Sequence, residues 1–324
     1  MFEAGKGIAT TKWLCCMNSQ TEILEKWTEK SAWRYQIRFQ QVGIAVIVRG
    51  LLSFALLITI AGCSMIVSRS AANLTTAVVD HDDPNTVRDG APAYLLLMDS
   101  LVVGNPDNEE VLRSAANLYS AYAALFITET DRAQRLTTRA YEYGQRAFCA
   151  HNEKACGIVN LDYESYETRV ATFLSGDLPF MFSLAQAWLS RIRAYREDWS
   201  AIAELPKAET LLQRVLQLDD TYDSGTAHIY MGMLNTLRPP ALGGKPEEGK
   251  RHFERAIEIS EGKNLSAKVQ YAESYARLVY DRELHDRLLN EVLSSETEFK
   301  GYTLLNVFAK QRAQLLLESA DDYF

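Results

Sequence analysis

The stretch "GGKPEEGKR", residues 243–251, has the spacing of a phosphate-binding loop: Gly244, four residues, then Gly249 and Lys250. Such a loop aims backbone N–H groups at phosphate while its lysine reaches the terminal oxygens. It also needs Ser or Thr after the lysine for Mg²⁺, and a buried strand to deliver the loop. Here Arg251 takes the hydroxyl's place, and the upstream "HIYMGMLNTLRPPAL" reads as a helix ended by two prolines. Glu247 and Glu248 put two negative charges where an anionic ligand would sit. The stretch therefore predicts no nucleotide site and needs another role.

Other chemistry is equally sparse. None of the histidines (His81, His151, His228, His252 and His285) has a second ligand in a zinc pattern such as H-E-x-x-H, and no G-x-S-x-G elbow occurs. His252, beside Phe253, reads as a surface position. Asp281, Glu283 and Asp286 crowd a helix start, which favours carboxylates through the helix dipole alone. The expectation is a protein that is not an enzyme and that uses no metal and no cofactor. The net charge of −8 argues against nucleic acid, whose binding rests on neutralising phosphates.

Residues 42–63, "VGIAVIVRGLLSFALLITIAGC", carry a single charge, Arg49. The run is long enough to span a membrane. Its parts are those of a signal peptide: a positive residue, an apolar core at residues 51–60, then small residues. Ile60-Ala61-Gly62-Cys63 resembles a bacterial lipobox, with cleavage after Gly62 and lipid on the Cys63 thiol; a plain membrane anchor is the alternative. Residues 1–41 are too long and too mixed in charge for an n-region, so residues 1–62 read as a doubtful leader plus signal peptide and 63–324 as the mature domain. The first 62 residues hold 7 Lys+Arg and 4 Asp+Glu, leaving 27 basic and 38 acidic residues downstream, a net charge of −11. A chain this acidic gains nothing electrostatically from an anionic membrane, so its attachment must come from the lipid, and several acyl chains on one cysteine suffice. Past Cys63 only Cys149 and Cys156 remain. They can bridge in an oxidising compartment, or stay as free thiols; six intervening residues do not decide.

Beyond residue 90 nearly every segment repeats its apolar residues at helical period and almost none alternates as a strand. About twelve helices with short connections follow, broken at Asn105-Pro106-Asp107, Asp219-Asp220, Pro239-Pro240, Gly262 and Gly301. The predicted fold is all-α, a superhelix of tetratricopeptide-like helical hairpins. The small–large–small signature of such repeats falls on Ala208, Leu212 and Val215, again on Gly249, Phe253 and Ala256, and more weakly on Ala133, Thr137 and Ala140. Gly249 is thus expected at a helix–helix contact, with Lys250 and Arg251 solvated and Gly243 and Gly244 turning an enlarged loop.

"AHIYMGMLNTLRPPALGGKPEEGKRHFERAIEIS", "VQYAESYARLVYDRELHDRLLNEVL" and the closing "NVFAKQRAQLLLESADDYF" resemble the T-component lipoproteins of TRAP transporters, their spirochaete members in particular. The resemblance spans residues 63–324. It implies a periplasmic, lipid-anchored helical-repeat protein that associates with the transporter's substrate-binding subunit. It further implies a homo-oligomer, a trimer, and passage of an apolar organic acid.

Two binding features are expected on such a scaffold, whose partners usually lie on the concave face. Trp188, Tyr195 and Trp199, read as one helix, with Tyr222, Tyr230, Met231 and Met233 further on, would line an apolar groove; ordinary core packing is the competing account of each. Pro239, Pro240, Leu242, Gly243 and Gly244 would form a rigid exposed loop that touches a partner, or a mere spacer. Two function classes follow: an accessory of a transporter, and a scaffold for envelope complexes that takes no small ligand.

Overall fold

The computed structural model describes residues 76–324, and Thr75–Phe324 form one compact unit. The leader, the Gly62 cleavage point and the Cys63 lipid site lie outside the described residues. Among the described residues every regular element is helical. The main helices are α1 (Pro84–Gly104), α2 (Glu109–Phe126), α3 (Thr130–His151), α4 (Tyr163–Val170), α5 (Leu178–Ala194), α6 (Leu205–Leu218), α7 (Thr226–Thr236), α8 (Pro246–Ile259), α9 (Leu265–Gln270), α10 (Arg282–Ser294) and α11 (Thr303–Glu318). The all-α helical-repeat fold read from the sequence is the one observed.

Local chemistry sets where the helices begin. Asp83 caps α1 by accepting from the Asn85 and Thr86 amides at 2.9 and 3.2 Å, and Asn108 caps α2 by accepting from Val111 at 3.0 Å. Pro84, Pro179, Pro206 and Pro246 stand in the first turn of α1, α5, α6 and α8, where a missing N–H costs nothing. Helix α9 runs on into a π-helical segment, Tyr271–Ala276, before Asp281 caps α10 by accepting from the Leu284 amide at 2.9 Å. Asp286, the third carboxylate of that cluster, is taken up by Arg282 and by His285 Nδ1 at 2.8 Å, so the cluster serves the helix start.

Successive helices pack as antiparallel hairpins: α2 on α3, α3 on α5, α5 on α6, α6 on α7 and α7 on α8. One core, containing Phe148, Tyr166, Trp188, Leu212 and Met231, fills the first hairpins; a second, with Phe253, Leu265, Leu289 and Ala313, fills the last. The two ends of the array meet. Helix α1 packs on α11, the Phe126 and Phe308 rings lie edge to face at 5.5 Å, and the Gly301 amide donates to Asp80.

All the signature residues but Ala133, which is only half-buried, sit where the sequence placed them. Ala208, Leu212, Val215 and Phe253 are fully buried, and Thr137, Ala140, Gly249 and Ala256 are buried with them. Around Gly249 the backbones of α7 and α8 come very close: a Cβ there would stand 2.7 Å from Thr236 Cγ2 and 3.0 Å from the Gly232 carbonyl. A Cβ on Gly232 would be 2.6 Å from the Phe253 ring. The phosphate-loop spacing is accidental: Gly249 faces this contact, Arg251 is exposed, and Lys250 lies over the Tyr275 ring at 6.0 Å. Overpacking predicts that Gly232→Ala and Gly249→Ala each lower stability by about 1–3 kcal/mol. Gly90→Ala, in an exposed turn of α1 with nothing within 4 Å, should raise it by about 0.5–1 kcal/mol. Urea unfolding of the three variants checks the contrast.

Candidate functional site

The residues read as one apolar groove are split by the chain's path. Helix α5 stops at Ala194, because Asp198 caps a new short turn, Trp199–Ile202, by accepting from the Ser200 amide at 2.8 Å. Trp199 therefore leaves the helix it was expected to share with Trp188 and stands 82% exposed. Trp188 is buried, its Nε1–H donating to Glu204 at 2.6 Å and its ring set against Tyr141 and Tyr166. Tyr195 hydrogen-bonds Thr138 at 3.2 Å beneath the Arg191 guanidinium. Met231 is buried in the first core, while Met233 packs half-buried on the second.

Tyr222 and Tyr230 do come together, around Phe182 of α5. The Phe182 ring is 5.4 Å from Tyr222 and 6.3 Å from Tyr230, both near perpendicular, and Gln186 reaches the Tyr230 hydroxyl at 3.4 Å. Burial pushes both phenols up, so they stay neutral donors. Between them the chain runs through three consecutive left-handed residues, Asp223 (φ 50°), Ser224 (φ 54°) and Gly225 (φ 82°). Only the glycine is at ease there; a non-glycine residue in this region costs about 1–2 kcal/mol. Gly225 is pressed against Ile259 and Ala256 of α8, which fixes the turn. The Asp223 side chain meets solvent, yet burial pushes its carboxyl up. The arrangement sets two phenols about one aromatic ring with the Asp223 carboxyl beside them, groups able to hold an organic molecule by contact and a few hydrogen bonds. The sequence signal for it, "TYDSG" before a helix with no capping side chain, reads only as a turn.

A second cluster holds the same turn from outside. His228 Nε2 faces two acceptors, the Asp220 carboxylate at 3.0 Å and its carbonyl at 3.1 Å, so it carries the hydrogen. His228 Nδ1 then meets His252 Nδ1 at 2.8 Å, and Arg255 closes the group on Asp220 at 2.7 Å. His252 is thus half-buried and bonded, not the surface residue expected. Burial, and next the neighbouring His228, push its imidazole down to about 4. Among the described residues no group of three or more His, Cys, Asp or Glu is placed to hold a metal.

The proline loop is a hydrogen-bonded turn at the surface. Pro239 and Pro240 are exposed, Pro240–Leu242 form one 3-10 turn, and Gly243 closes it at φ 83°. The Gly244 amide donates to Pro239 O at 3.2 Å and Lys245 to Asn235 O at 2.9 Å; a Cβ on Gly244 would collide with the Arg238 carbonyl. Cys149 and Cys156 are joined in a disulfide that ties the end of α3 to the turn after it.

Residues 80–324 match the family model of the TRAP transporter T-component. The chain belongs to that family. No match was found among curated proteins. An accessory role in a TRAP transporter follows for this T-component. No helix among its described residues is long and apolar enough to cross a membrane.

Two outcomes follow. Cys149→Ser/Cys156→Ser should lower stability by about 2 kcal/mol, the value for so short a closed loop, measured by urea unfolding without reductant. Between about pH 4 and 6.5 the unfolded chain binds a proton at His252 that the folded chain refuses, so stability rises with pH across that window and is lost as pH falls through it. In His252→Gln this acid limb should shrink by about 2 kcal/mol, less than the full shift because the ring is only half-buried.

Proposed function

We propose that this T-component is a periplasmic lipoprotein, cut after Gly62 and lipidated at Cys63, that docks the substrate-binding subunit of its TRAP transporter. In this reading it assembles as a homo-oligomer, a trimer, and residues 63–324 are the mature domain. The aromatic cluster at Phe182, Tyr222 and Tyr230, beside Asp223, receives an apolar organic acid in passage; the two phenols are the donors available to its carboxylate. The exposed turn Pro239, Pro240, Leu242, Gly243 and Gly244 is the partner contact, since its rigidity makes docking cost little conformational entropy.

The observation that carries the reading is the family match over the whole helical array. The Cys149–Cys156 disulfide favours an exported protein, because such bonds persist in oxidising compartments. The second class, a scaffold for envelope complexes without a small ligand, is less favoured by an aromatic cluster set on a strained turn.

Sedimentation velocity of residues 64–324, alone and with the substrate-binding subunit of the same organism, tests the proposal. The expected result is an oligomer that takes up the subunit. A monomer that ignores the subunit at high micromolar concentration would leave the scaffold class ahead.

A further inference from the structure

Helix α1 buries one face and leaves the other bare. Val87, Ala91, Leu95 and Val102 point inward, while Leu96 (71% exposed), Leu97 (51%), Leu101 (41%) and Val103 (82%) point out, with Tyr94 beside them. Tyr94, Leu97 and Leu101 follow at i, i+3 and i+7 and form one stripe, flanked by Leu96 and Val103. The exposed residues between them, Gly90, Ala93, Ser100 and Gly104, are uncharged. Beyond Arg88 and Asp89, which pair with each other at 2.8 Å, the helix has a single charged residue, Asp99. Asp99 is turned inward and spent, accepting from Tyr119, Tyr143 and Arg139 at 2.8 Å each. Nothing charged therefore interrupts the outer face over its last three turns. A contiguous apolar patch on an acidic protein marks an interaction site.

We propose that this face lies on the lipid bilayer, seated in the headgroup layer of neutral phospholipids, and holds the repeat domain down against its membrane. The proposal rests on the anchoring reading, which places the bilayer at Cys63. Only twelve residues, thirteen Cα steps, separate Cys63 from Thr76, where the described chain begins. Fully extended they reach about 45 Å, and α1 is the first long helix after them. A tether of this length gives an effective concentration on the order of millimolar, so even weak apolar partition fills the contact. Charge chooses between occupants. Anionic lipid would repel a domain of net charge −11, and the basic groups beside the helix are already paired, Arg88 with Asp89 and Arg139 with Asp99. Neutral headgroups over hydrocarbon carry no net charge to oppose the domain.

Residues 63–324 can be coupled through Cys63 to a maleimide lipid, because the other two cysteines of that segment are bonded to each other. This tether is independent of native acylation, so the result does not depend on whether the cell lipidates the chain. Leu97→Trp points outward and leaves the fold intact; its emission is read over that of Trp188 and Trp199 in vesicles of phosphatidylcholine with brominated acyl chains. The expected result is quenching of the added tryptophan by about twofold or more, reduced when anionic lipid is included. Unquenched emission overturns the proposal. So does a solution oligomer that Leu97→Glu/Leu101→Glu dissociates, since a second copy would then cover the face.

Discussion

The helices of this protein can approach as closely as they do only where side chains have been removed. At the α7–α8 contact the Gly249 and Gly232 backbones leave room for one large group, the Phe253 ring, which is fully buried against Gly232. The same device recurs at Gly144, where a Cβ would press on the Leu184 backbone at 3.3 Å. Small residues set the distance and large ones fill the groove, as ridge-into-groove packing requires. Repeated along the chain, the contact carries the array round until α1 meets α11.

The proposed function depends on that spacing indirectly. Because α8 lies so near α7, Gly225 is trapped against Ala256 and Ile259, and the left-handed turn at Asp223 is held open at its energetic cost. Asp220, just before the turn, is tied to α7 and α8 by His228 and Arg255. One hairpin thus fixes both the turn beside the aromatic cluster and the proline turn, since Lys245 at the start of α8 hydrogen-bonds Asn235 at the end of α7.

What the sequence made legible was periodic. Apolar spacing revealed the helices, and the small–large–small signature located the tight contacts, including the true role of Gly249. Pairings between distant segments were not legible. Trp199 looked continuous with Trp188 because the apolar period runs on past Asp198, whose capping role shows only once its carboxylate accepts from the Ser200 amide. His228 and His252 are 24 residues apart and meet only because α7 and α8 are antiparallel. The Asp223 turn was hidden for a different reason: left-handed backbone at a non-glycine residue is imposed by packing, not by local preference. The cysteine bridge also needed the structure, because whether two thiols six residues apart face each other depends on where α3 ends.

The central claim is that this chain works as a membrane-held partner of a transporter's substrate-binding subunit. Native mass spectrometry of the protein drawn from its own cell membranes tests it in one spectrum. The account predicts a chain beginning at an acylated Cys63, present in several copies and carrying the substrate-binding subunit. A chain that keeps the residues before Cys63, bears no acyl group and carries no subunit would contradict it.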